Sequence, residues 1–255
     1  MELVATAAAA GFDAVGLRLM DPPDANPRHA VDDPKLMRDT RQRLVDTGLQ
    51  VLDVEAIWID ATIRVQEYER LFEAAASLDA RHAVAMIHDT DVIRGAESFS
   101  ALCALAAPYG ISVNLEFAKY SAVKTISQAA GIIGDSGSTN AAVLIDTLHF
   151  ARSGGEPSDL LGLRAALAPY IQIADARREP PPDVSMYRDE ALGGRLDPGT
   201  GALPLLDVLR KLPTGLSTSV EAPNRTLDHL APVARARLAL DATRALFTLL
   251  AKDPK

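Results

Sequence analysis

Short apolar runs alternate with longer amphipathic stretches along the whole chain. Seven runs rich in β-branched residues and Leu predict buried strands, at residues 14–19, 49–54, 83–87, 111–116, 143–146, 170–174 and 216–221. Between them, apolar residues recur with helical spacing, for example over residues 34–47, 65–79, 98–109 and 122–134. Alternating strands and helices predict a parallel sheet that is covered by helices.

The spacing of the strands favours a barrel. Successive strands begin roughly 30 residues apart, the repeat of eight strand–helix units in a TIM barrel. We therefore predict one α/β domain over residues 1–255 with a (β/α)8-type barrel fold. The chain opens on a helical segment, MELVATAAAAG, so the first strand is expected to be missing or atypical. A doubly wound open sheet is the alternative, but no glycine-rich nucleotide fingerprint follows any strand.

A barrel without its first strand would expose the edges of two other strands. Proteins usually cover such edges. A second subunit or a shifted terminal segment would cover this seam, so a homodimer is one expected arrangement.

Composition and charge narrow the class of protein. The 255 residues are 48% hydrophobic and 24% charged, as in an ordinary globular protein. The net charge is −8 and no basic cluster occurs, so neither nucleic acid nor a membrane surface is an expected partner. Apolar runs are too short to span a bilayer. Cys103 is the only cysteine, so a reduced, cytoplasmic compartment is the expected location.

The last four strands each end with a polar side chain. These are Glu116 in VNLEF, Asp146 in LIDTLHF, Gln172 in YIQIAD and Glu221 in SVEAP. The carboxyl ends of barrel strands form one face, and inward side chains of neighbouring strands converge there. Three carboxylates without a cation would repel one another. Three carboxylates and an amide oxygen predict a divalent-metal site, with Mg²⁺ or Mn²⁺ favoured over Zn²⁺ or Co²⁺.

Each of these residues also has a simpler interpretation. Asp146 alone is typical of a helix N-cap, Gln172 of a satisfied core amide, and Glu116 of a loop start. Polar residues recur at the strand end of four successive strand–helix units, and this recurrence favours the metal site. His149 could be a ligand, a substrate contact or a buried structural histidine. The substrate role is favoured because four ligands are already assigned.

Three further residues are candidates for substrate binding. Glu55 follows the predicted strand 49–54 and His88 ends the strand 83–87, although both also fit solvated loop positions. Residues 175–203 form the longest irregular region, which predicts a lid or binding loop. Arg195 in this region would bind an anionic or hydroxyl group of a substrate, the alternative being a solvated arginine.

The segments NLEF, LIDTLHFARSGG, YIQIADA, GGRLDPGTGALPL and SVEAPN resemble the signature segments of xylose isomerase-like TIM barrels, the sugar-phosphate isomerase/epimerase group. The resemblance covers nearly the whole chain and implies that Glu116, Asp146, Gln172 and Glu221 bind the metal. It also implies that His149 and Arg195 contact the substrate. Many epimerases of the group have histidine at the position of Gln172. Glutamine there resembles the 3-dehydroshikimate dehydratase branch and several isomerase-like branches.

The expected function is a metal-dependent isomerase or epimerase acting on a small sugar or sugar-like polyol ketone. The resemblance implies that Glu116 and Glu221 exchange a proton next to the carbonyl through an enediolate, with His149 beside them. A dehydratase of the 3-dehydroshikimate or inosose type shares the first step and is an alternative, as is a barrel that has lost activity. Phosphodiester hydrolysis is disfavoured because it uses a histidine-rich multi-metal cluster, and the chain has five histidines.

Overall fold

Seven parallel strands form a nearly closed barrel, which confirms the predicted TIM-barrel fold. The computed structural model describes residues 2–23, 29–161, 163–164 and 166–252. The strands pair in sequence order. They are β1 (Ala14–Arg18), β2 (Gln50–Ile59), β3 (His82–Ile87), β4 (Ser112–Glu116), β5 (Ala141–Asp146), β6 (Tyr170–Ile173) and β7 (Ser217–Val220).

Helices connect the strands and cover the outside of the barrel. They are α1 (Glu2–Ala10), α2 (Pro34–Thr47), α3 (Glu69–Ser77), α4 (Val92–Ala106), α5 (Ile126–Ser136), α6 (Thr147–Arg152), α7 (Tyr187–Gly193), α8 (Leu205–Lys211) and α9 (Pro232–Lys252). Among the described residues, no helix is both long enough and apolar enough to cross a membrane.

The main core lies between the strands and the helices. Residues such as Ile57, Phe72, Phe99 and Ile145 are almost completely buried there. The strands are covered on both faces, which is why β5 is buried at every position and reads as a continuous apolar run. This burial leaves the carboxyl ends of the strands as the positions where polar groups can gather.

The barrel has a seam between β1 and β7. Among the described residues no strand precedes β1, as the sequence predicts, and β1 pairs only with β2 and β7 only with β6. Helices α1 and α9 pack against each other. A cavity of about 1800 Å³ runs along the seam, and residues of both β1 and β7 line it.

Some predicted boundaries are wrong. Strand β2 continues to Ile59, so Glu55 lies within a strand and does not follow one. Helix α4 begins at Val92 rather than at residue 98. The region 175–203 is not irregular throughout, because it contains α7 and forms antiparallel bridges at Asp175–Leu196 and Gly194–Asn224.

Asp175 holds the two ends of residues 175–203 together. Its buried carboxylate accepts hydrogen bonds from the backbone N–H groups of Ala176, Gly199, Gly201 and Leu203. A Cβ on Gly201 would lie 2.4 Å from the carboxylate, so glycine is needed at this close approach. Tertiary hydrogen bonds therefore order a region that has no periodic apolar pattern.

Asp53 of β2 is a buried carboxylate in a different situation. It is 1% exposed, and its Oδ2 has no hydrogen-bond partner among the described residues. Burial raises the pKa of Asp53 to about 6, with Glu55 adding to the increase and Tyr170 opposing it. A Cβ on Gly16 of β1 would lie 2.3 Å from Asp53 Oδ1, so the carboxylate occupies the space that a side chain would take.

This carboxylate should make stability depend on pH. In the unfolded chain Asp53 ionises near pH 4, whereas the folded protein keeps its proton until pH is about 6. The folded state therefore loses stability as pH rises through this window and does not regain it above pH 6. We expect Asp53→Asn to raise the free energy of unfolding by ~2 kcal/mol at pH 8 and by much less at pH 4. Urea denaturation at the two pH values measures the difference.

Asp175→Asn is the matched control, because Asp175 is as deeply buried but has partners for both oxygens. It should lower stability at pH 8. If Asp53→Asn destabilises the protein at pH 8 as much as Asp175→Asn does, the Asp53 carboxylate is not an unfavourable buried charge.

Candidate functional site

The polar side chains that end the last four strands lie at the same end of the barrel. Glu116 is the last residue of β4 and Asp146 the last residue of β5. Gln172 lies within β6, and Glu221 directly follows β7. The sequence predicts this placement, because parallel strands present their carboxyl ends on one face.

Strand alternation directs these side chains into the barrel. Leu144 and Tyr170 form an interior cluster with Val84. Asp146 and Gln172 lie two residues beyond Leu144 and Tyr170, so they share the inward face. Asp146 and Gln172 are also aligned in the register of β5 and β6.

Asp146 is both a helix cap and a member of the charged site. It is completely buried. Its Oδ1 accepts a hydrogen bond from the backbone N–H of His149 at 2.9 Å, which caps α6. Its Oδ2 accepts one from the guanidinium of Arg195. The simpler interpretation and the functional one therefore apply to the same carboxylate.

Glu116 and His149 approach each other beside Asp146. His149 Nε2 lies 3.6 Å from Glu116 Oε1 and 3.5 Å from the hydroxyl of Tyr120. The rings of Tyr120 and His149 meet edge to face. Glu116, Asp146 and His149 each offer one ligand atom, and these atoms lie within 4.8 Å of one another. This group could hold a metal ion.

Arg195 reaches the centre of the site and is 2% exposed. Its Nε donates to the backbone oxygen of Ala191 at 2.9 Å. Its Nη1 donates to Asp146, and its Nη2 lies 3.5 Å from Glu221 Oε2. The guanidinium thus bridges two of the four predicted metal ligands. The side chain of Glu221 is 35% exposed and is the most accessible of the acids.

The three carboxylates perturb one another. Burial raises the pKa of Glu116 well above its usual range, and the charges of Glu221 and Asp146 add to the increase. Burial also raises the pKa of Glu221 to about 8, although Arg195 opposes the change. Burial would raise the pKa of Asp146 too, but Arg195 and His149 outweigh it, so the pKa is lowered. Asp146 is therefore the acid that stays ionised, and Glu116 and Glu221 take up protons most readily.

Burial lowers the pKa of His149 to about 4, and the nearby Arg195 lowers it further, although Asp146 opposes both. The ring is therefore neutral near pH 7. A neutral imidazole can accept a proton, accept a hydrogen bond or bind a metal ion.

The side chains of the site offer ligand atoms that suit a divalent cation. Gln172 Oε1 is buried and has no hydrogen-bond partner among the described residues. Buried polar atoms usually have a partner, so this oxygen is set up for a group that is not part of the chain. Two carboxylates that hold their protons to high pH would release them to a cation. An amide oxygen and carboxylate oxygens are suitable ligands for a hard ion.

The two weaker candidates lie at the edge of this arrangement. Glu55 forms an ion pair with Arg18, in which Arg18 Nη2 lies 2.9 Å from Glu55 Oε2. The charge of Glu55 helps to raise the pKa values of Glu116 and Glu221. His88 stacks on the ring of Trp58, with the two ring centroids 4.0 Å apart. Their substrate contacts stay predictions.

Sequence reasoning missed several residues of the site. Tyr120 carries no periodic or spacing signal, since it lies in the loop after β4. Arg152 of α6 binds Glu190 of α7 through two hydrogen bonds of 2.8 and 2.7 Å, across 38 residues of sequence.

Two ion pairs link α7 to other elements of the barrel. The Arg152–Glu190 pair is nearly buried, with side-chain exposures of 5% and 11%. Arg225 and Asp189 form the other pair at the surface. Arg195 Nε donates to the backbone oxygen of Ala191 in the same helix, so the position of α7 affects that of the guanidinium.

The chain belongs to the family of xylose isomerase-like TIM barrels, whose model matches residues 4–246. An inosose isomerase of Bacillus velezensis is 26% identical to it in an alignment of 170 residues, and the match covers 62% of this chain and 59% of that protein. The chain thus matches less than two thirds of the length of this relative.

Solved structures share the fold at low identity. The IOLI protein with a bound zinc atom has a TM-score of 0.80 and 19% identity, and the match covers 98% of this chain and 94% of that one. D-psicose 3-epimerase, solved in the presence of D-fructose, has a TM-score of 0.73 and 18% identity, with coverage of 96% and 92%.

Removing the buried acid of α7 should destabilise the protein. Glu190→Gln leaves Arg152 without its counter-ion in a nearly buried position. We expect the free energy of unfolding to fall by ~2 kcal/mol or more. Urea denaturation measures the loss, and limited proteolysis should find faster cleavage within residues 175–203.

Asp189→Asn is the control at the neighbouring position. It breaks an ion pair whose side chains are 53% and 70% exposed, so it should cost less than about 1 kcal/mol. Equal effects of the two substitutions would show that the Arg152–Glu190 pair does not hold the region in place.

Proposed function

We propose that the chain is a divalent-metal-dependent isomerase or epimerase that acts on a small sugar or sugar-like polyol ketone. Membership of the family, the similarity to an inosose isomerase and the epimerases among the structural neighbours support this class. The substrate is proposed as a class because these relatives carry several different substrate names.

Glu116, Asp146, Gln172 and Glu221 would hold the ion, and their oxygen atoms favour Mg²⁺ or Mn²⁺. A set built on Glu116, Asp146 and His149 is the alternative, supported by the proximity of their ligand atoms. Its imidazole nitrogen would suit Zn²⁺ or Co²⁺ better, and a zinc atom is bound in the IOLI protein. Both sets contain Glu116 and Asp146.

When bound, the ion would polarise the substrate carbonyl as a Lewis acid. Glu116 and Glu221 would then exchange the proton on the neighbouring carbon, one as base and the other as acid. Return of the proton to the opposite face of the same carbon gives epimerisation. Return to the former carbonyl carbon, with transfer of the hydroxyl proton between the two oxygen atoms, gives isomerisation. His149 would contact a substrate hydroxyl, since its ring is neutral and close to Glu116.

One observation carries the proposal. Two carboxyl groups with raised pKa values, Glu116 and Glu221, are electrostatically coupled within one site that also contains an ionised aspartate. A bound cation would lower both pKa values, so one carboxyl group could act as base while the other delivers a proton, as general acid–base catalysis requires.

Arg195, His88 and Glu55 would bind the substrate. Arg195 is anchored through Nε, so its two terminal nitrogens face the acids at the centre of the site. His88 and Trp58 would offer the edge of their stack to a sugar ring. Expulsion of a β-hydroxyl after the same proton removal would make the protein a dehydratase, and the product of the reaction distinguishes the two activities.

The test is solvent exchange. Protein loaded with Mn²⁺ or Mg²⁺ is incubated in D₂O with ketoses, inososes and 3-dehydroshikimate, and NMR follows deuterium at the carbon next to the carbonyl. We expect exchange with at least one polyol ketone, and a loss of at least ~100-fold in Glu221→Gln and Glu116→Gln, because each removes an acid–base group. Formation of an enone instead of an isomer would identify a dehydratase.

Glu97→Gln is the control, because Glu97 is an exposed acid on α4 away from the site. It should exchange at the rate of the natural protein. Exchange that survives in both Glu116→Gln and Glu221→Gln, or no exchange with any compound of the panel, would contradict the proposed reaction.

A further inference from the structure

Arg195 holds the same carboxylates that a divalent ion would need. Its guanidinium donates to Asp146 Oδ2 and lies 3.5 Å from Glu221 Oε2. The side chain is 2% exposed, so water does little to screen its charge. A guanidinium and a dication at these oxygens would repel each other strongly, because the interaction between charges grows as the local dielectric falls.

One nitrogen of the Arg195 guanidinium is held by the backbone, whereas the two terminal nitrogens contact only side chains. Nε is tied to the backbone oxygen of Ala191, and α7 is tied to the barrel through Arg152–Glu190 and Arg225–Asp189. The terminal nitrogens bind only acids of the site and no backbone group among the described residues. They can therefore exchange partners without unfolding of the region.

We propose that Arg195 is an internal counter-ion that competes with the metal for Asp146 and Glu221. In the metal-free protein it partly neutralises the buried acids. When the ion binds, the guanidinium gives up these contacts and becomes available to bind the substrate. Metal loading and substrate anchoring are thereby linked through one side chain. The inference rests on the proposed metal site.

This role predicts an effect opposite to that of a structural arginine. Loss of a structural side chain would leave metal affinity unchanged or weaken it. Loss of a competing cation should strengthen metal binding while it lowers the stability of the metal-free protein.

The experiment is a titration with Mn²⁺ alone, followed by calorimetry, on the metal-free natural protein and on Arg195→Gln and Arg195→Lys. We expect Arg195→Gln to bind Mn²⁺ at least about tenfold more tightly, and Arg195→Lys, which keeps the charge, to stay within about threefold of the natural protein. The rise in Tm caused by Mn²⁺ should also be larger in Arg195→Gln.

Arg94→Gln is the control, because Arg94 binds the buried carboxylate of Asp89 through two hydrogen bonds of 2.7 Å and touches neither Arg195 nor the predicted ligands. It should lower the Tm and leave the affinity for Mn²⁺ unchanged. Weaker or equal Mn²⁺ binding in Arg195→Gln, with binding intact in the natural protein, overturns the inference and leaves the proposed function standing. No Mn²⁺ binding by any variant overturns both.

A measurement on the natural protein covers the case in which Arg195→Gln does not fold. Phenylglyoxal modifies accessible arginines, and mass spectrometry locates the modified residue. Mg²⁺ should increase modification of Arg195, because the guanidinium leaves its buried ion pairs. Equal or slower modification with saturating Mg²⁺ overturns the inference.

Discussion

Compensation of buried negative charge is the constraint on which this molecule depends. Glu116, Asp146 and Glu221 meet at the carboxyl ends of parallel strands, and Arg195 brings one positive charge to them. Burying unpaired charge is costly. Burial and the neighbouring acids raise the pKa values of Glu116 and Glu221, so protons offset part of the remaining negative charge in the metal-free protein. A divalent ion would compensate this negative charge without protons, so the same acids can serve as ligands and as proton carriers.

The fold brings these acids together and also positions the guanidinium of Arg195 beside them. Strand alternation sends the inward side chains of β5 and β6 to one place, and the cap on α6 orients Asp146 towards His149. Residues 175–203 supply Arg195 from the opposite side. Their position depends on hydrogen bonds to Asp175 and on ion pairs of α7, which together replace the apolar periodicity that positions an ordinary helix. Stability and function are therefore coupled in this region.

The sequence predicted the barrel and the strand-end residues because both follow from local periodicity. The seven apolar runs became seven strands, and the four polar strand ends share the carboxyl side of the barrel. The ion pair of Arg195 with Asp146 joins residues 49 apart, and no periodic pattern announces such a contact. For the same reason the sequence suggested that the region 175–203 is irregular, whereas long-range pairs order it. Glu55 was placed after β2 because an acid interrupts an apolar run that in fact continues to Ile59.

The most direct test of the central claim is the position of a metal ion. Crystals grown with Mn²⁺ and measured near its absorption edge locate the ion by anomalous scattering. We expect one strong peak among Glu116, Asp146, Gln172 and Glu221, with oxygen atoms at roughly 2.0–2.6 Å and Arg195 turned away from Asp146. A peak elsewhere, or ordered side chains with no peak at saturating Mn²⁺, would contradict the claim.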